Sequence, residues 1–196
     1  MTDDTNGFNI SEVLQPVAAK TWVAPTSTSL WTRANVIDAY FAPASPAVQL
    51  PLYTEDGGPE WKNEDDGDAI TFFQDGYSIP SGLSNVTLTI TYAGIDDTLR
   101  ALQGESVDAD GYGIVQGGSS ATEWRVFHQG IYKAPGIDGL IVWNRAGTAK
   151  ATVTENQETR GEVKSFTVEF SFKSDLTTLN GGVFHQAILY PTEESV

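Results

Sequence analysis

Val86-Thr87-Leu88-Thr89-Ile90-Thr91-Tyr92 alternates apolar and polar residues without a break. In an extended chain successive side chains point to opposite sides, so Val86, Leu88, Ile90 and Tyr92 share one face and Thr87, Thr89 and Thr91 the other. A helix would scatter the same residues around its circumference. The stretch therefore reads as a strand with one face buried. Further along, "EVKSFTVEFSFKSD" (residues 162–175) repeats the pattern. Phe166, Val168, Phe170 and Phe172 fall on one face, and Val163, Ser165, Thr167, Glu169 and Ser171 on the mostly polar other. Two such strands predict an antiparallel sheet with one face in a core and one polar face.

Working outward, "ATEWRVFHQG", "GLIVWNR", "AKATVTE" and "VFHQAILYP" add strand-like runs. "GIDDTLRALQG" (residues 94–104) carries helix punctuation: Asp96 or Asp97 as N-cap, Ile95, Leu99 and Leu102 on one face, and Gly104 just past the end. The expected fold is mainly β, an antiparallel sandwich or barrel with one short flanking helix. "TRANVIDAYF" reads equally as strand or short helix. Residues 1–20, polar and then interrupted by Pro16, read as an N-terminal arm. Residues 21–196 read as a single β-rich domain that contains an interaction loop at 42–69. That loop holds four prolines, Pro43, Pro46, Pro51 and Pro59. Its acids Glu55, Asp56, Glu60, Glu64, Asp65, Asp66 and Asp68 face only Lys62. Within it Trp61 reads as an exposed ring suited to a partner pocket.

The chain carries a formal charge of −15, with its 11 Lys and Arg scattered from Lys20 to Lys173. Such a surface repels phosphate, which argues against tight nucleic-acid binding through counterion release. There are no cysteines, so disulfides, thiolate metal sites and Cys nucleophiles drop out. "MTDDTNGFNI" lacks a basic and then apolar leader, and no apolar run reaches membrane-spanning length, so a cytoplasmic start without a membrane partner is expected. The two histidines, His128 and His185, both follow Phe and precede Gln, but no third ligand stands at metal spacing. No nucleophile elbow and no phosphate loop ending in Lys occurs. The reading is of a protein that is not an enzyme and needs no cofactor. Of the tryptophans, Trp124 and Trp143 sit in apolar strands and are expected in the core.

"VDADGYG" (residues 107–113) imitates the start of a calcium loop, with Asp108 and Asp110 at positions one and three and Gly113 at six. Position twelve is Ser119, where a bidentate Glu belongs. The segment reads as a Gly/Asp turn, with a looser cation contact through Asp108 and Asp110 as the alternative.

The order of "VTLTITYAGIDDTLRALQG", the turn, "ATEWRVF" and the long "GEVKSFTVEFSFKSD" resembles the major tail proteins of long-tailed bacteriophages, especially those of actinobacterial hosts. The resemblance spans residues 70–190 and rests on pattern and order. It implies a virion protein of the phage tail, made in the host cytoplasm, whose copies form hexameric rings stacked into a hollow tube. Its partners would be itself, a tape-measure protein, tail-terminator and tail-tip proteins, and DNA passing through the bore. It further implies that residues 1–20 and 42–69 bridge successive rings, with Glu55, Asp56, Trp61, Asp65 and Asp66 as candidate ring-to-ring positions. Thr87, Thr89, Thr91, Thr167, Glu169 and Ser171 are candidate bore-facing positions. A polar face poor in cations would let DNA slide, since it offers phosphate nothing to pair with. The alternative is a non-catalytic carbohydrate-binding β-sandwich that uses an exposed Trp.

Overall fold

The computed structural model describes residues 13–66, 70–71, 78–79, 83–94, 96–115, 122–158, 160–175 and 178–191. Most of the expected arm, residues 1–12, lies outside them. The fold class is the expected one, mainly antiparallel β and sandwich-like, with two short helices where one was expected. Main-chain contacts divide the chain into two compact units. The first comprises residues 1–50, 124–148 and 175–196, and the second 51–123 and 149–174.

In the first unit the strands are β1 (Gln15–Pro25), β2 (Val48–Gln49), β9 (Glu123–Lys133), the first half of β10 (Ile141–Glu155) and β12 (Phe184–Leu189). They hydrogen-bond in the order β2-β1-β9-β10, with β12 also on β10. Residues 15–20, expected in an arm, are paired in β1 with residues 129–133 of β9. Pro16 stands opposite Tyr132 beside a register shift, the kind of irregular position in a strand where a proline is tolerated. β1 ends at Pro25, as its sequence suggests.

The ambiguous "TRANVIDAYF" resolves as a helical turn, α1 (Arg33–Val36). It is started by a capping box in which Thr32 N donates to Asn35 Oδ1 at 2.9 Å. The core of this unit is aromatic. Phe127 meets Trp22, Trp31 and Phe41 edge to face at 5.9, 5.5 and 5.3 Å. Trp22 and Trp31 are the buried tryptophans, whereas Trp124 and Trp143, expected in the core, are only half-buried.

In the second unit the order is β10-β11-β6-β3, where β11 is Ser165–Phe172, β6 Leu83–Ala93 and β3 Glu60–Asp66. The two strands singled out by their alternation are therefore neighbours. Val86, Leu88, Ile90, Tyr92, Phe166, Val168, Phe170 and Phe172 are all buried, as their period requires. The 42–69 stretch is not a plain loop, since it contributes β2 and, antiparallel to β6, β3. A break in periodicity hid β3, because an edge strand with charged residues lacks the alternating signature.

Helix α2 (Asp97–Leu102) starts where predicted. Asp96 Oδ1 accepts from Leu99 N at 2.7 Å, and Gly104, beyond the helix, takes a left-handed φ of 83°. Among the described residues this unit also has two short antiparallel pairs, β4 (Ile70–Thr71) with β5 (Ser78–Ile79) and the hairpin of β7 (Glu105–Val107) with β8 (Gly113–Val115). Among the described residues no helix is long and apolar enough to cross a membrane.

Candidate functional site

The polar side of the second unit's sheet is where most of the sequence-named positions converge. In the β6–β11 ladder Thr87 stands opposite Ser171, Thr89 opposite Glu169, and Thr91 opposite Thr167. Residues directly opposite in an antiparallel pair project to the same side, so the six form one stripe. The Thr91 and Thr167 hydroxyls are hydrogen-bonded at 2.9 Å, and Thr167 Oγ1 donates on to Asn156 Oδ1 at 3.1 Å.

The flanking strands widen the stripe. On β10, Lys150 stands opposite Ser171, Thr152 opposite Glu169 and Thr154 opposite Thr167, and all three flanking residues are exposed. On β3, Glu60 stands opposite Thr89 and Lys62 opposite Thr87. The result is a row Lys150–Ser171–Thr87–Lys62 beside a row Thr152–Glu169–Thr89–Glu60. Sequence reasoning found the hydroxyls and missed the lysines, because register between distant strands is not written in any local pattern. Here the face differs from expectation: two lysines offset two glutamates, and Lys62 Nζ lies 3.4 Å from Glu60. Across these two rows the surface is one of hydroxyls with as many lysines as glutamates.

A connection pinned to β6 borders this face. Thr54 N donates to Thr91 O at 2.9 Å, Thr91 N to Gly57 O at 2.9 Å, and Ala93 N to Leu52 O at 2.7 Å. Gly57 allows that approach, since a Cβ there would lie 2.5 Å from Thr91 Cβ. Of the proposed ring-to-ring positions, Glu55 and Asp56 are exposed beside this connection. Trp61, half-buried, stacks on Phe172 at 5.5 Å with an interplanar angle of 22°, so one face of its ring is covered within its own chain. Asp65 and Asp66 continue β3 by backbone, and their side chains lie outside the described residues.

The calcium-like segment is the β7–β8 turn. Asp108 Oδ1 accepts from Asp110 N at 3.0 Å and Tyr112 N at 2.9 Å, and Asp108 N donates to Tyr112 O at 2.9 Å. One carboxylate oxygen is thus occupied with backbone N–H groups, as in an Asx turn. Ser119 lies outside the described residues. Arg100 clasps the hairpin, donating to both Glu105 oxygens at 2.7 and 2.6 Å and to Gly111 O at 3.1 Å. That hydrogen-bonded pairing holds the Glu105 carboxyl below its ordinary pKa and raises that of Arg100. Among the described residues no three His, Asp or Glu side chains gather as a metal site would need.

In the first unit His128 is buried on β9, its Nδ1 3.1 Å from Thr21 Oγ1. Burial, with the nearby Arg145 charge second, lowers its pKa to about 3. His185 pairs in register with Ala146 on β10 and is half-buried. A proton-transfer role near neutral pH does not suit a histidine kept neutral in this way.

The same unit contains a cleft of about 880 Å³ whose lining includes Lys20, Trp22, Tyr40, Phe41, Leu140 and Tyr190. No sequence pattern marks it, because its walls come from five separate stretches. Beneath one wall, the buried Asn144 donates through Nδ2 to Val36 O and Asp38 O, both at 3.0 Å. Gln129 Nε2 donates to Asn144 Oδ1 at 3.2 Å. These amides fix the turn that carries Tyr40, whose N–H is held by Asp38 Oδ1 at 2.9 Å. No protein-family model matches the chain, and no curated protein matches it in sequence.

Proposed function

We propose that this chain is a structural assembly protein, the tail-tube subunit of a long-tailed bacteriophage. In that role its copies form stacked rings, of six by the resemblance, around a tape-measure protein, and the tube later conducts DNA. The observation that carries the reading is the register-matched hydroxyl face, three cross-strand Thr/Ser/Glu pairs wide, backed by a fully apolar face. A bore must pass a polyanion without holding it. Hydroxyls bear no charge, and here the row that carries two lysines lies beside a row that carries two glutamates, so phosphate finds no net cationic track there. The arrangement of the whole candidate site also suits assembly better than chemistry, since the buried histidine is kept neutral and the one calcium-like segment is a turn.

The carbohydrate-binding alternative leans on an exposed tryptophan, and Trp61 is half-buried and stacked on Phe172 instead. Saturable glycan binding by the free subunit would favour that alternative. The test of the tail-tube reading is electron microscopy of intact particles with antibodies against this chain. Label along the tail supports it, and tails free of label in particles that contain the protein refute it.

A further inference from the structure

The cleft of the first unit and an exposed apolar knob on the second have complementary chemistry. Lys20 is the charged residue in the cleft's lining, and the rest is apolar or aromatic apart from Gln129. Tyr40 at its border is 95% exposed, an unusual position for a ring on a turn held this firmly. Its turn is clamped from below by Asn144, so the wall is formed before anything binds. A volume of about 880 Å³ with such a lining fits a recognition pocket better than a packing defect.

The knob is Leu52, 80% exposed and followed within four residues by the exposed acids Glu55 and Asp56. It is not a loose side chain on a mobile tip. Hydrogen bonds Ala93 N to Leu52 O and Thr54 N to Thr91 O fix the backbone on both sides of it. A solvent-exposed leucine on a fixed backbone, beside two carboxylates, matches an apolar cleft that carries one ammonium group.

We infer that the occupant of the cleft is the Pro51–Leu52 knob of a second copy of this chain, with Glu55 or Asp56 of that copy pairing with Lys20. The choice of a second copy as partner rests on the assembly reading; the complementarity of knob and cleft does not. Burying Leu52 removes apolar surface from water, and the Lys20 pair sets the register and excludes uncharged or basic segments. In a chain of net charge −15, one cation placed in an apolar cleft gives copies a point of attraction against their general repulsion.

The test is binding between two full chains, a fluorescently labelled Tyr40→Ala chain that offers its knob and an unlabelled Leu52→Asp chain that offers its cleft, read by anisotropy. The expected result is saturable binding that adding Leu52→Asp to the labelled chain weakens at least about tenfold. Adding Lys20→Glu or Tyr40→Ala to the unlabelled chain should each weaken it too. Glu55→Lys with Asp56→Lys in the labelled chain should recover binding to the unlabelled chain that carries Lys20→Glu and lose it to the one that does not. Lys20, Tyr40, Leu52, Glu55 and Asp56 are exposed, so circular dichroism is expected to report the variants folded. No saturable binding, or binding indifferent to Lys20→Glu and Tyr40→Ala, overturns the inference. Label on tails without this binding would remove the docking and leave the tail-tube reading standing. Binding with unlabelled tails would do the reverse.

Discussion

His128 shows how far a single environment can move a titration. Taking the ring out of water disfavours the imidazolium, and Arg145 adds like charge, so its pKa falls to about 3. The unfolded chain binds a proton near pH 6.5, whereas the folded chain does not until far lower. Stability is therefore complete above about pH 6.5 and falls by about 1.4 kcal/mol per unit below it, levelling off near the folded value. The paired carboxylates of Glu105 and Glu158, held low by Arg100 and Lys164, add their own losses only below the ordinary carboxylate range. The interval from pH 6.5 to 5 thus isolates the histidine. Denaturant melts across it should show that slope in the unaltered chain and little slope in His128→Gln. Equal slopes in both would mean that His128 stays hydrated in the fold.

At the scale of elements, the β7–β8 hairpin carries the residue pair that sequence leaves between turn and cation site. Asp108 accepts two backbone N–H bonds through one oxygen, a service that Asn can also provide. Asp108→Asn is therefore expected to change stability by under about 0.5 kcal/mol, while Asp108→Ala strands those donors and costs about 1 kcal/mol. Asp110→Asn should be neutral. Thermal melts with and without a chelator make the check, and a large chelator effect on the unaltered chain would restore the cation reading.

What could be read in advance follows from the same local logic. β6 and β11 were legible because a strand with one buried face prints a period of two on its own sequence, and α2 because Asp96 and Gly104 mark its ends. β1 and β9 were harder: around Val126 to Gly130 both faces are buried, so no polar alternation survives. β3 was missed because charges crowd an edge strand. The rows that bring Lys62 and Lys150 beside the threonines, and the Asn144 clamp reaching back to Val36 and Asp38, depend on pairings between distant segments. No window of sequence contains them.

At the scale of the molecule the governing quantity is charge. Several cations are already committed within the chain: Lys164 to Glu155 and Glu158, Lys173 to Glu123 at 2.8 Å, and Arg100 to Glu105. With a net charge of −15, copies of the chain repel at long range, so joining them calls for short-range contacts and screening ions. A tube built from them needs apolar docking between copies and a bore that does not grip phosphate. The hydroxyl face answers the second need, and the Lys20 cleft with its Leu52 partner answers the first. The most direct test is a cryo-electron microscopy reconstruction of intact tails at a resolution that traces strands. The expected result is rings of this chain with Thr87, Thr89, Thr91, Thr167, Glu169 and Ser171 lining the bore. A tube built from another protein, or one with that face turned outward or buried between copies, would contradict it.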